Sequence, residues 1–233
     1  MNDVLFENDN CLIINKRCGE DCEKLEVISG EYRLVHRLDT PASGCLLIAK
    51  NRSAAAFLSA AFANHDSRQV IKHYHVITEI PMNAGDPDKG SIVNDSIYSS
   101  SFYSGQWQEA VHWIGFIPRQ NRSIAHAENR PGTKKAVLRY RYAGRGDHYF
   151  FLEAELITGR HHQIRAQLAT LDLHIKGDLK YGARRSEKKG GIRLHASALR
   201  FPDPGSGEPV IVIAPVPSGD SLWDSFPESP FNG

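Results

Sequence analysis

The stretch "LVHRLDTPASGCLLIAK" (residues 34–50) sets His36, Arg37 and Asp39 ahead of a Pro-Ala-Ser-Gly turn, and an apolar run resumes at Cys45–Ala49. Two apolar segments on either side of turn formers read as strands of one sheet. Turn chemistry alone asks for Asn, Asp, Gly or Ser. A histidine, an arginine and an aspartate together mean either a local ion-pair cluster or a site.

Working outward, "VLFENDNCLIINK" (4–16) reads as two short strands about an Asn-Asp-Asn turn. "NRSAAAFLSAAFANH" (51–65) offers Ser53 as an N-cap and places Phe57 with Ala61 and Leu58 with Phe62 at i, i+4, which predicts a helix. "QVIKHYHVITEI" (69–80) returns to period two, with Val70, Lys72, Tyr74 and Val76 on one face and Ile71, His73, His75 and Ile77 on the other. Residues 80–135, rich in Gly, Ser, Asn, Asp and Pro, are expected to hold short strands and long surface loops. "KAVLRYRYAGRGDHYFFLEAELIT" (135–158) reads as two strands joined at Gly144–Gly146. "GRHHQIRAQLATLD" (159–172) looks helical, with Ile164, Leu168 and Leu171 as its apolar stripe. "GIRLHASALRF" (191–201) and "PVIVIAP" (209–215) read as strands around a turn-rich connection. Strands from end to end with two or three helices predict an α+β fold. Its core is a large, mostly antiparallel or mixed sheet flanked by a few helices, in a single domain over 1–233.

The 233 residues are 41% apolar, and no run approaches a membrane span. The opening "MNDVLFENDN" lacks the basic and apolar parts of a signal peptide, so a cytoplasmic protein is expected, by default a monomer. Cys11, Cys18, Cys22 and Cys45 read as reduced thiols. Cys18 and Cys22 have a spacing that zinc sites can use, but no second ligand pair matches them, and no metal is expected. Residues 1–31 carry eight acids and three bases, and residues 201–233 five acids and no bases, so the middle of the chain is strongly basic. Its densest part, "IKGDLKYGARRSEKKGGIR" (175–193), fits a polyanion-binding surface or a solvated loop equally well.

Three constellations could carry chemistry. Asp39 caps the turn at Thr40-Pro41, or pairs with Arg37, or is a reactive carboxylate at a strand end; an arginine beside a carboxylate favours its ionised form. Tyr74 is either a packed strand tyrosine or part of the polar set Lys72, His73, His75. In "ITGRHHQIRAQL" (157–168), Thr158-Gly159 offers a cap, and Arg160, His161, His162, Gln163 and Arg165 crowd the start of the helix. They form either the wet, basic face of an amphipathic helix or a site suited to phosphate. Walker, GxSxG and HExxH motifs do not occur, which removes the usual support for nucleotide hydrolysis, serine hydrolase and zincin chemistry. Two classes fit: an enzyme acting on nucleic acid through Asp39, or an RNA- or DNA-binding module in which Asp39 orients Arg37.

Taken together, "HRLDTPASG" (36–44), "KHYHV" (72–76), "TGRHHQIRAQL" (158–168), "KGDLKYG" (176–182) and "LHASALRF" (194–201) resemble, in order and spacing, the blocks of the RluA-type pseudouridine synthases. The resemblance runs from Val4 to about Pro217, with no room for the family's optional N-terminal S4-type RNA-binding domain. It implies the pseudouridine synthase fold, with a catalytic cleft across the sheet. The implied activity is isomerisation of uridine to pseudouridine in ribosomal or transfer RNA, without cofactor or metal. By resemblance Asp39 is the nucleophile, attacking ribose C1′ or base C6. Tyr74 lies against the base and is the candidate to move a ribose C2′ proton, and Arg165 pairs with and aims Asp39. His36 and Arg37 are implied to bind substrate, Arg37 entering the RNA beside the flipped base. Leu194 walls the uracil, and Arg160, His162 and Gln163 hold phosphate or order the helix start. The sequence departs from the family pattern at Ala42, at Lys16-Arg17 followed by "CGEDCEKL", at Ala166-Gln167 and at "LATLDLHIKGD" (168–178). The alternative is a module of the same fold that binds structured RNA without modifying it; a nucleoside glycosidase, releasing free uracil, is a further one.

Overall fold

The asparagines and aspartate between the two first strands do what short polar side chains do in tight turns. Asn8 Oδ1 accepts from the amides of Asn10 and Cys11, both at 2.9 Å, and folds β1 (Asp3–Glu7) back on β2 (Cys11–Lys16). The computed structural model describes residues 2–25, 32–84, 98–187 and 190–227. After β2 the "RLVHRLD" run is strand only at β3 (Arg33–Leu34), where polar residues soon leave the sheet. The Asp39–Ala42 turn, closed by Ala42 N–H on Asp39 O at 2.9 Å, then leads into β4 (Ser43–Ala49). Ser43 and Gly44 are therefore the first strand residues, and the turn ends at Ala42.

Helix α1 (Arg52–Ala63) is capped two residues earlier than expected. Asn51 sits in extended backbone, and its side chain accepts from Ala54 N–H at 2.8 Å, so Asn51 and not Ser53 is the N-cap. Leu58 and Ala61 are buried while Phe57 is exposed. β5 (Ile71–Glu79) follows as the alternating run predicted. Within 80–135, residues 85–97 lie outside the described residues, and the remainder is more regular than its composition suggested. It holds α2 (Ser100–Tyr103), the ten-residue β6 (Gln108–Ile117) and β7 (Arg122–His126). Val111, Trp113 and Phe116 supply the β propensity that the flanking polar residues masked. β8 (Lys134–Arg145) and β9 (Tyr149–Leu156) form the predicted hairpin, followed by α3 (Gln163–Thr170), β10 (Leu194–Pro202), β11 (Pro209–Ile213) and α4 (Ser221–Asp224).

The described strands make one mixed sheet in the order β1-β2-β4-β10-β5-β9-β8-β6-β7, with β3 beside β4 and β11 beside β10. No helix among the described residues is long and apolar enough to cross a membrane. β10 is the junction. One edge pairs antiparallel with β5, Leu194 opposite Val76 and His195 opposite His75. The other edge runs parallel to β4 at His195–Ser43 and Ala196–Gly44, then pairs antiparallel with β11 from Ala198–Ile213 to Pro202–Pro209. Because β4 and β10 run parallel, the segments that enter them emerge at the same end of the sheet. Ile192 N–H joins those segments through Pro41 O at 3.0 Å.

That parallel contact is unusually close. Gly44 has φ +110°, and a Cβ there would lie 2.3 Å from Ala196 O, so the backbone approach needs the missing side chain. Substituting Gly44→Ala should therefore destabilise the protein by about 3 kcal/mol or more, from left-handed strain plus overpacking. The check is the midpoint of urea unfolding; an unshifted midpoint would mean that β4 can slide away from β10 at no cost.

Candidate active site

The parallel start of β4 and β10 leaves a cleft of about 660 Å³, floored by β5 and bounded by the end of α1 and the start of α3. Its lining includes all nine side chains assigned from the sequence: Asp39, Tyr74 and Arg165, then His36, Arg37, Arg160, His162, Gln163 and Leu194. Their surroundings divide them into different roles.

Arg165 is 4% exposed, and its guanidinium is shared between two aspartates from distant parts of the chain. Nε and Nη2 donate to Asp178 Oδ2 and Oδ1 at 2.7 and 2.8 Å, a two-pronged fork, while Nη1 reaches Asp39 Oδ2 at 3.2 Å. Burial alone would lower the Arg165 pKa; the Asp178 and Asp39 bonds outweigh it and carry the pKa above its ordinary value. The guanidinium also lies over the Tyr181 ring, 4.9 Å from its centroid. Of the two readings of this helix start, the wet, basic face does not hold at Arg165. Gln163 through Leu168 are all buried, so Arg165 points inward to a carboxylate and not outward to solvent.

The histidine next to it is fixed by a hydrogen-bond chain. The Tyr181 phenolic oxygen accepts from Ser123 N–H at 2.8 Å and lies 3.0 Å from His162 Nδ1. With the phenol donating to Nδ1, the imidazole proton is assigned to Nε2, which is 4.0 Å from Asp39 Oδ2. Burial, then the Arg165 charge, lowers the His162 pKa to about 3, so the ring is neutral. His162 holds left-handed backbone, φ +51°, and α3 begins only at Gln163; Thr158-Gly159 therefore does not cap the helix. Gln163 instead ties the preceding loop. Its Oε1 accepts from Thr158 Oγ1 at 2.8 Å and Arg160 N–H at 2.9 Å, and its Nε2 donates to Val137 O at 3.0 Å. His161, stacked on His162 at 3.8 Å, is anchored on Ser123 Oγ at 2.9 Å.

Tyr74 is buried on the cleft face of β5, and burial, then Asp39, pushes its phenol well above its ordinary pKa. Leu194 is buried where β10 begins. His36 serves the scaffold, since its Nε2 accepts from Leu47 N–H at 3.0 Å and its ring stacks on Phe62 at 4.9 Å. Enclosure there, then Lys72, lowers its pKa to about 3. Arg37 is exposed at the rim and, among the described residues, pairs with Glu23 at 2.6 Å. Such a pair is worth about 1 kcal/mol or less and is readily exchanged. Arg160 anchors Nε on Lys135 O at 3.2 Å.

Sequence reasoning passes over two lysines. Lys16 is fully buried, and its ammonium donates to Arg17 O and Glu20 O, each at 2.9 Å, and to Thr40 O at 3.3 Å. It thereby holds the turn that carries Asp39; its signal is a lysine ending an otherwise buried strand. Lys72 lies on the cleft face of β5 beside Tyr74, 9% exposed. The basic 175–193 segment is partly neutralised within the fold, while Lys180, Arg184 and Arg185 are exposed. Arg193 bonds Glu187 and Asp220 at 2.9 and 2.6 Å, Lys176 lies 3.6 Å from Glu187, and Arg184 bonds Glu79 at 2.8 Å; Lys188 and Lys189 lie outside the described residues. Cys22 is buried against Leu38 O, and Cys18 lies against Pro41 O. His73, His75 and Glu153 bring ligand atoms within 4.8 Å of one another on the opposite face of β5 from Tyr74.

Asp178→Asn leaves a buried guanidinium with Asp39 as its one remaining carboxylate and should cost about 3 kcal/mol in urea unfolding; a loss below about 0.5 kcal/mol would mean that the fork is not what holds Arg165. His36, His162 and His195 have pKa values near 3, 3 and 4, the last also from burial. Each is below its unfolded value, so unfolding takes up protons. Stability is full above the unfolded value near 6.5 and falls as pH drops from there toward 4, by on the order of 1 kcal/mol per histidine per pH unit. Urea midpoints at pH 7.5 and 5 test this, and equal midpoints would contradict it.

Known proteins are similar to this chain in sequence and in fold. The sequence profile described as RNA pseudouridylate synthase matches residues 5–170. A Bacillus subtilis RNA pseudouridine synthase, YlyB, is 28% identical over 92% of this chain and 69% of its own length. The ribosomal large subunit pseudouridine synthase C of Vibrio parahaemolyticus is 26% identical over 92% of this chain and 66% of its own. This chain thus spans about two thirds of the length of both relatives. The tRNA pseudouridine synthase C of Salmonella typhi is 28% identical over 96% of this chain and 87% of its own. Among solved structures, human RNA pseudouridylate synthase domain containing 1 superposes with a TM-score of 0.68 over 92% of this chain and 83% of that one, at 22% identity, which is a likeness of fold. With the profile covering most of the chain and the mixed sheet shared, the protein belongs to the RNA pseudouridylate synthase family.

Proposed function

We propose that the protein isomerises uridine to pseudouridine in structured RNA, ribosomal or transfer, with Asp39 as the attacking carboxylate. The observation that carries this is the buried Arg165, locked by Asp178 and offering its remaining edge to Asp39 at the floor of the cleft. A carboxylate held only by a surface arginine would point anywhere. One held by a guanidinium that cannot move is aimed. Its side chain is 23% exposed, enough to meet a substrate.

A stacked uridine is out of reach, so the base must first be extruded, at a cost of a few kcal/mol. Arg37, on its exchangeable pair with Glu23, is free to leave the rim and fill the vacated place in the RNA. Asp39 then attacks ribose C1′, or base C6; by either route the N1–C1′ bond breaks, the uracil turns and a C5–C1′ bond forms. The C5 proton leaves to solvent, N1 gains a proton, and the carboxylate is regenerated. Tyr74 lies beside the base as wall and proton carrier. Its raised pKa keeps the phenol protonated at neutral pH. It therefore moves a ribose C2′ proton only in a glycal route, giving its own proton to the departing uracil N1 as it takes the one from C2′ and returning a proton to C2′ when the C5–C1′ bond forms. Leu194 and Leu156 supply apolar wall that keeps a detached uracil from escaping. Neutral His162 directs an N–H toward Asp39 and the attacked centre.

The test is tritium release from [5-³H]uridine in transfer and ribosomal RNA lacking the modification. Wild type should release tritium without free uracil, and Asp39→Asn should lower release by at least about 10³-fold. Release in both proteins would remove Asp39 from the chemistry. RNA binding without release in either would favour a binding module, and free uracil would indicate a glycosidase.

A further inference from the structure

The cleft contains a second polar feature, on the face of β5. Lys72 is 9% exposed and, among the described residues, makes neither an ion pair nor a hydrogen bond. Every other buried cation of the cleft region is compensated: Arg165 by two carboxylates and Lys16 by three carbonyls. What surrounds Lys72 is apolar, neutral or cationic. The Phe62 ring lies 5.8 Å from Nζ, Leu199 is its partner on β10, and His36 and His65 are both lowered by burial first and by Lys72 after it. Arg160 is the nearest charge from the loop after β9, and it repels. Nζ rests over that loop at Gly159, where a Cβ would come within 3.6 Å of it.

An ammonium buried beside a second cation, with no carboxylate, is costly unless something anionic arrives. Lys72 shares a face of β5 with Tyr74, two residues or about 7 Å away along the strand. That separation suits a base over Tyr74 with a backbone phosphate over Lys72. We propose that Lys72, together with Arg160, is the binding site for an RNA phosphate adjoining the extruded uridine. The site anchors the strand on one side of the reacting nucleotide while Asp39 works on the other. The inference rests on the proposed RNA substrate.

The test is binding and turnover of the responsive RNA by wild type, Lys72→Met and Lys72→Arg. Losing one charge-assisted contact should weaken RNA binding by about 10- to 100-fold. The larger share should fall on KM, and the slope of log Kd against log salt should drop by about one unit. Burial, then Arg160, lowers the Lys72 pKa to about 8, so wild-type affinity should decline between pH 7 and 9. Lys72→Arg, which does not titrate there, should keep its affinity. Lys72→Met should also melt higher than wild type by about 2–4 °C, because an uncompensated buried charge is gone. A lower melting temperature would mark Lys72 as structural and overturn the proposal. So would an unchanged Kd and salt slope in Lys72→Met with active wild type, which leaves the proposed function intact. A wild type that neither binds nor modifies RNA would overturn both.

Discussion

Everything at this site depends on taking one guanidinium out of water. A buried arginine is stable only if its donors are met by well-placed acceptors, and breaking such an arrangement costs more than it ever contributes to stability. Arg165 meets that requirement with a two-pronged bond to Asp178, thirteen residues on, and a single bond to Asp39, 126 residues back. The fold is thereby committed: α3, the 176–183 turn and the turn before β4 must come together, or a charge is left buried alone. The Asp39 carboxylate is positioned by a requirement of stability. Tyr181 adds to the same knot, with its ring under the guanidinium and its hydroxyl between Ser123 and His162.

The cations of the cleft then divide by how firmly they are held. Arg165 and Lys16 are locked, one aiming Asp39 and the other pinning the turn that carries it. Arg37 is loosely paired in solvent, and Lys72 has no counter-charge among the described residues. Locked cations build a site, and loose or unpaired ones wait for a ligand. The same logic reduces the charge that the 175–193 segment offers to solvent, leaving Lys180, Arg184 and Arg185 exposed. Arg184 pairs with Glu79, and Arg193 with Glu187 and Asp220, the last contributed by the acidic end of the chain. The charge asymmetry along the sequence is thus partly an internal neutralisation.

Much of the fold is legible in local patterns. Alternating runs become β5, β8 and β9, the Asn-Asp-Asn turn becomes the first hairpin, and the alanine-rich stretch becomes α1. The failures have physical causes. Asn51 outcompetes Ser53 as cap because it is the residue that remains in extended backbone before the first turn. β6 is hidden because polar residues alternate along its exposed side. The helix at 163–170 has an amphipathic pattern, yet residues 163–168 are all buried because polar residues among them find partners in other segments.

By itself, then, the sequence determined which segments are strands and helices, and through its ordered blocks it pointed to one family and to Asp39, Tyr74 and Arg165. Those are properties of spacing and residue type, readable wherever neighbours along the chain decide the outcome. Only the tertiary structure decided that Asp178 holds Arg165, that Lys16 holds the Asp39 turn, that His36 belongs to the scaffold and that Lys72 lacks a counter-charge among the described residues. Each of these turns on whether a buried polar group finds a partner, and those partners come from strands and turns far apart in the sequence. No local pattern encodes them; the parallel approach of β4 to β10 brings them together.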